Sequence, residues 1–240
     1  MSDHHHKETF ITKYIFSTDH KMIAKQFLIT GMIMALIGML MSAIFRVQLA
    51  NPGEASVLYN LLPGSWLSAD GALNPDKYLA LVTMHGTILV FWVLTAGLSG
   101  TFANFLIPLQ IGARDMASGF MNMLSYWFFF IATVILMSSI YVEGGPASSG
   151  WTIYPPLSAL PEAIPGSGAG MTLWLLSITL FVVGSLLGGL NYIVTILNLR
   201  TKGMSMQRMP LTTWALFVTA ILGVLSFPVL LSCGLLLLLD

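Results

Sequence analysis

Apolar residues follow one another along this chain in five long blocks, each with almost no charge inside it. A spanning helix needs about 20 mostly apolar residues. Stretches of that length run over about 26–49, 78–107, 121–142, 171–199 and 211–239. Lipid offers no partner to backbone N–H and C=O groups, so each block is expected to be a helix. Pro228, inside the fifth block, removes one backbone donor and should bend that helix. The bend is tolerated if neighbouring helices or Ser226 reach the freed carbonyl. The expected fold class is therefore all-α: a polytopic membrane helix bundle of five transmembrane helices over 26–240, preceded by a polar segment over 1–25.

The connections between blocks are of two kinds. Residues 50–77 and 143–170 form long connections rich in Gly, Pro and Ser, whereas Gly112–Met116 and Arg200–Pro210 are short. Lys7, Lys13, Lys21, Lys25, Arg114, Arg200, Lys202 and Arg208 all fall on one side of the alternating blocks. Only Arg46 and Lys77 fall near the other side, and 143–170 has no basic residue. Because basic residues are retained on the cytoplasmic side, the N-terminus is expected in the cytoplasm and Asp240 outside.

Composition sharpens this picture. Hydrophobic residues make up 56% of the chain and charged ones 8%, against roughly a quarter charged in a soluble domain. Such a chain cannot clothe a water-facing surface. Its net charge is zero, so nothing points to nucleic acid. Cys233 is the single cysteine, so no intrachain disulfide forms, and packing against lipid or a helix is its expected role. The first 25 residues lack an apolar stretch and do not resemble a secretory signal. His4, His5 and His6 suit a natural tail, part of a tag or a weak metal site; a solvated tail is expected.

Ionisable groups inside lipid are expensive and usually functional. His85 lies about seven residues from the outer end of the second block, roughly 10 Å deep at helical rise. It suits a histidine hydrogen-bonded to a neighbouring helix and a ligand equally well. Neutral imidazole is a common axial ligand for haem iron, and Gly86 beside it leaves room for a flat macrocycle. Arg46 fits a side chain snorkelling to the headgroups. At the turn between the second and third blocks, Asp115 is accompanied by Arg114, Asn104 and Asn122. An acid among amides at a bundle mouth can collect protons. Asp115 can equally pair with Arg114 or cap the third helix.

These residues belong to longer strings. STDHKMIAKQFLITG (17–31), TMHGTILVFWVLTAGLSGTFANFLIPLQIGARDMASGFMNMLSYW (83–127), GWTIYPPLS (150–158), SLLGGLNYIVTILNLR (185–200) and MSMQRMPLTTWALFVTAILGVLSFPVLL (204–231) resemble, in collinear order, subunit I of aa3-type cytochrome c oxidase. The bacterial caa3-type members of the haem–copper oxidase family are the nearest in look.

The resemblance implies a role for each matching residue. His85 matches the second-helix ligand of the low-spin haem, and Arg46 the arginine at that haem's edge when it is haem a. Asp115 matches the acid at the entrance of the D proton pathway. Asn104 and Asn122 match asparagines at its mouth, and Ser185 a serine further along. Trp151 and Tyr154 belong to the outer string lying over the haem sites. The family implies a twelve-helix fold, a high-spin haem and copper besides the low-spin haem, and subunits II and III as partners. It also implies cytochrome c as electron donor, oxygen as acceptor, and a place in the bacterial cytoplasmic membrane.

The copper ligands, the high-spin haem ligand and the second low-spin ligand of the family match nothing up to Asp240. The chain is therefore expected to be an N-terminal portion with no catalytic residue of its own and no activity alone. A quinol oxidase shares these residues and stays open as an alternative. Nitric oxide reductases generally lack a D-type entrance, so Asp115 with its asparagines argues against them. From another class, an internal inverted repeat would favour a five-span transporter, and none is visible; a haem-free assembly protein is the remaining alternative.

Overall fold

The computed structural model describes residues 9–156, 158, 160 and 168–239. His4, His5, His6, Lys7 and Asp240, for which expectations were stated, lie outside the described residues.

Five long helices carry the fold. The first, α1, spans His20–Ala50 and starts six residues before its apolar block. The cause is local: Asp19 stays extended and its carboxylate accepts the Met22 N–H at 2.9 Å, capping the helix. His20 is thus the first residue of α1, and it is buried.

The second, α2, spans Pro75–Ile111. Pro75 occupies its first turn, where a missing N–H costs nothing. Ile88–Leu98 within it is wound as a π-helix, and Thr95 Oγ1 donates to the Val90 carbonyl at 2.8 Å there. Gly112 ends α2 at φ 73°, a left-handed turn that a side chain resists. Next, α3 spans Gly119–Ser138, capped by Ser118 Oγ accepting from Met121 N–H at 3.2 Å. Then α4 spans Gly168–Asn198 and α5 spans Leu211–Leu239. Pro228 does not interrupt α5. Ser226 Oγ donates to the Gly223 carbonyl at 3.5 Å, one residue short of the Val224 carbonyl that Pro228 frees.

All five are long and apolar enough to cross a membrane. No named strand occurs among the described residues; Leu67 and Leu73 share an isolated bridge. The chain is an all-α membrane helix bundle.

In the bundle, α4 packs between α3 and α5, and α1 runs along α2. The α1–α2 contact is closest at two glycines. A Cβ on Gly31 would stand 2.8 Å from the Gly97 Cα, so neither position has room for a side chain. Phe27 of α1 stacks on Phe129 of α3 with ring centroids 5.3 Å apart. Trp92 Nε1 donates to Thr133 Oγ1 at 3.0 Å, so the indole is both buried and satisfied. The segment between α1 and α2 tucks Tyr59 and Trp66 into the core. By contrast, α5 leaves Leu222, Leu225, Val229 and Leu236 exposed, and Cys233 with them.

Alternation of the helices sets two ends. Hydrogen bonds from Thr201 to Ile111, from Ala117 to Thr195 and from the His20 backbone N–H to Asp115 hold the short turns together with the start of α1 at one end. The Lys77 ammonium donates to the Gly144 carbonyl at the opposite end.

Candidate functional site

His85 sits in α2 three residues before the π-helical segment. Its Nδ1 lies 2.8 Å from the backbone oxygen of Gly38 on α1. A carbonyl oxygen only accepts, so Nδ1 carries the hydrogen and the neutral ring keeps its lone pair on Nε2. This is how proteins orient a histidine that ligates a metal: the far nitrogen is tied down so the near one is available. Phe45 closes one side, with its ring centroid 5.4 Å from the imidazole and nearly perpendicular to it. Next along α2, a Cβ at Gly86 would meet nothing within 4 Å. A half-buried imidazole with a free Nε2, followed by a glycine with open space at its Cβ position, fits a ligand to a metal macrocycle and supplies one such ligand.

Arg46 follows Phe45 directly, is exposed, and makes no hydrogen bond or ion pair among the described residues. Its guanidinium is free for an acceptor outside this chain. Trp151 and Tyr154 are both exposed, and Trp151 lies against Phe91 of α2, ring centroids 6.0 Å apart.

A second constellation lies at the end where the short turns gather. Asp115 Oδ1 accepts the Met116 N–H at 2.7 Å and the His20 backbone N–H at 3.3 Å, and lies 3.1 Å from His20 Nδ1. The free N–H groups at the start of α1 suit a carboxylate there. Neither structural reading of Asp115 from the sequence holds. Its partner is His20 rather than Arg114, and the cap of α3 is Ser118. The turn carrying Asp115 is clamped by α4: Ala117 N–H donates to Thr195 Oγ1 at 2.9 Å, and Ser118 N–H to Asn191 Oδ1 at 2.9 Å.

Asn104 and Asn122 are fully buried. Asn104 Nδ2 donates to the Gly100 carbonyl at 2.7 Å and to the Tyr192 hydroxyl at 3.0 Å, while its Oδ1 has no protein partner. Neither side-chain polar atom of Asn122 has one. A buried polar group without a partner costs about 1–3 kcal/mol, and ordered water is the usual remedy. No hydrogen bond among the described residues joins Asp115 directly to either asparagine. Ser185 Oγ donates to the Phe181 carbonyl at 2.9 Å and lines a cavity of about 280 Å³ together with Ser125 and Tyr192.

His20 and Tyr192 are thus site residues that the sequence reading did not single out. They meet their partners across 95 and 88 positions of chain, and periodicity carries no information over such distances. The available signal was weak: a histidine at a helix start and a tyrosine within an apolar block.

Comparison with known proteins bears on both constellations. Residues 22–240 match the family described as Cytochrome C and Quinol oxidase polypeptide I. The chain is 41% identical over 236 residues to the "Alternative cytochrome c oxidase subunit 1" of Bradyrhizobium diazoefficiens, covering 98% of this chain and 37% of that protein. It is 40% identical over 232 residues to the "Cytochrome c oxidase subunit 1" of Candida albicans, covering 97% and 40%. It is 38% identical over 231 residues to the "Heme-copper oxidase subunit I+III" of Aeropyrum pernix, covering 96% and 26%. The chain therefore spans about a quarter to two-fifths of the length of these curated relatives.

Proposed function

The chain belongs to the cytochrome c and quinol oxidase polypeptide I family, and from that premise we propose that it forms part of the catalytic subunit of a proton-pumping terminal oxidase. The reaction is transfer of electrons from cytochrome c to oxygen, giving water. The cofactors of the family are haem and copper.

The observation that carries this reading is the Nδ1 bond of His85 to the Gly38 carbonyl. It leaves Nε2 as a lone-pair donor that cannot turn away. His85 would hold the iron of a low-spin haem, haem a, with Arg46 donating to an oxygen at its edge. Trp151 and Tyr154 would lie over the haem sites. A haem bound there supplies one-electron carriage, tuned by its axial ligand. The residues here orient the imidazole and leave room beside it in sequence: Phe45 packs edge-on against the imidazole, and the absence of a side chain on Gly86 would leave space for the macrocycle.

Proton supply is the second part. Asp115 would collect protons at the exposed turn, its carboxylate aimed by His20 and the Met116 N–H. Asn104 and Asn122 would line the path inward, and Ser185 would continue it. Clustering of basic residues at the Asp115 end supports a cytoplasmic location for that end and for the N-terminus, in a bacterial cytoplasmic membrane. Subunits II and III would be the partners; a relative named as a subunit I+III fusion is in keeping with this.

The absorption spectrum of the oxidase containing this chain tests the reading. His85→Ala should abolish the low-spin haem band, and an unchanged band would overturn the ligand assignment. A quinol oxidase would use the same residues; relatives named for cytochrome c favour that donor. Turnover with reduced cytochrome c against turnover with a quinol separates the two. A transporter or haem-free assembly protein gains no support from the family.

A further inference from the structure

The hydroxyl of Tyr192 stands where the mouth of the bundle meets its cavity, and no role follows for it from the family-like strings. We propose that Tyr192 is a positioning residue of the proton route: its hydroxyl joins the Asn104 amide to the polar wall of the cavity and fixes where a hydrogen-bonded chain turns into it. The inference rests on the proton-entrance reading of Asp115 given above.

Three observations carry it. First, Asn104 Nδ2 donates to the Tyr192 oxygen at 3.0 Å. That occupies a lone pair and leaves the O–H itself with no protein acceptor among the described residues. It can therefore donate into the cavity that Tyr192 lines.

Second, Gly188 leaves room at the hydroxyl on the side where Ser125 lies. The place a Cβ would take on Gly188 is 3.5 Å from the Tyr192 hydroxyl and 3.8 Å from the Ser125 Cβ. Gly188 lies one turn before Tyr192 on α4, and its missing side chain leaves space next to both the phenol tip and Ser125 of α3. Ser125 Oγ in turn donates to the Asn122 backbone oxygen at 2.7 Å, and the Asn122 side chain is itself buried without a protein partner.

Third, Ser185 precedes Tyr192 by seven residues, two helical turns, so both present the same face of α4 about 10 Å apart. The polar part of the cavity wall comprises Ser125, Ser185 and Tyr192 with Thr95, Ser99 and Thr219. At about 280 Å³ the cavity has room for several waters, and in its largely apolar wall these hydroxyl oxygens are the partners that would hold them. Tyr192 supplies the polar group between Asn104 and that wall.

The competing role is purely local: Tyr192 satisfies a buried amide and fills space. Tyr192→Phe separates the two, because it keeps the ring and removes only the hydroxyl. In the assembled oxidase, proton uptake after oxygen addition is followed in H2O and D2O, beside Asp115→Asn. We expect uptake about fivefold slower in Tyr192→Phe, the kinetic equivalent of one hydrogen bond. Its solvent isotope effect should rise, while the haem spectrum and the rate of haem reduction stay as in the unsubstituted oxidase. Gly188→Val, which crowds the hydroxyl without replacing the tyrosine, should slow uptake in the same way. It provides an independent check should Tyr192→Phe fail to assemble. Normal uptake in Tyr192→Phe with slowed uptake in Asp115→Asn overturns this inference and leaves the entrance reading standing. Normal uptake in both overturns the entrance reading and this inference with it. Slowing with an unchanged isotope effect, or with an altered haem band, assigns Tyr192 to packing alone and overturns its place in the route.

Discussion

Gly38 and His85 face each other across the α1–α2 contact, the backbone oxygen of one 2.8 Å from Nδ1 of the other. A backbone acceptor cannot rotate away or change its charge, so the imidazole is held in one tautomer by the packing of two helices. The glycine belongs to that packing: a Cβ on Gly38 would stand 3.0 Å from Leu89 Cδ2 and 3.4 Å from Ile88 Cγ2.

This relationship gives the first prediction. Gly38→Val should push α1 from α2 and lengthen the bond that orients His85, while leaving His85 in place. Haem retention by the assembled oxidase should fall roughly 10- to 100-fold, the usual cost of disturbing an outer partner of a ligating histidine. His85→Ala should remove the low-spin haem band altogether. Titrating haem into both variants and reading the absorption band checks this. Full retention in Gly38→Val would mean that the bond does not orient the ring.

Asp115 is a carboxylate tied to His20 at 3.1 Å and open to solvent on its far side. Asp115→Asn keeps the size and hydrogen-bonding capacity but removes the ionisable proton. Oxygen consumption should fall by roughly 10²-fold, the range for loss of a proton-transfer group, with the haem spectrum unchanged. Because Ser118 caps α3, the substitution should cost little stability. His20→Ala should slow consumption less, since it leaves the carboxylate but frees it to move. Near-normal rates and pumping in Asp115→Asn would remove Asp115 from the proton route.

Orientation is open to chemical labelling. In a Cys233→Ala background, a membrane-impermeant thiol reagent applied from outside should miss Lys202→Cys, in the turn before α5, and should label Glu143→Cys in the opposite connection. Labelling of Lys202→Cys from outside would reverse the assigned orientation.

The Gly31–Gly97 contact predicts a packing effect far from either site. A Cβ on Gly31 would meet the Gly97 Cα at 2.8 Å, and backbone cannot rotate out of the way as a side chain can. Gly31→Val should destabilise the bundle by about 1–3 kcal/mol, as overpacking does. Gly86→Val, where a Cβ meets nothing within 4 Å, should leave the apoprotein's stability nearly unchanged. Thermal unfolding in detergent compares the two.

The number of spanning helices was legible in the sequence because bilayer thickness sets an apolar length that can be counted residue by residue. The sidedness of the basic residues was legible for the same reason, since alternation of five blocks assigns every loop to one of two ends. Residue chemistry alone marked His85, Arg46 and Asp115, because ionisable groups in or beside lipid are rare. Helix ends were less legible: His20 joins α1 only because Asp19 caps it, an effect of backbone hydrogen bonding that hydropathy does not register. Partners were not legible at all. That Asp115 meets His20 rather than Arg114, that Tyr192 meets Asn104, and that Gly38 fixes the tautomer of His85 are decided by how helices far apart in the chain lie side by side. A sequence lists donors and acceptors, but only packing brings a particular pair within the 3 Å that a hydrogen bond requires.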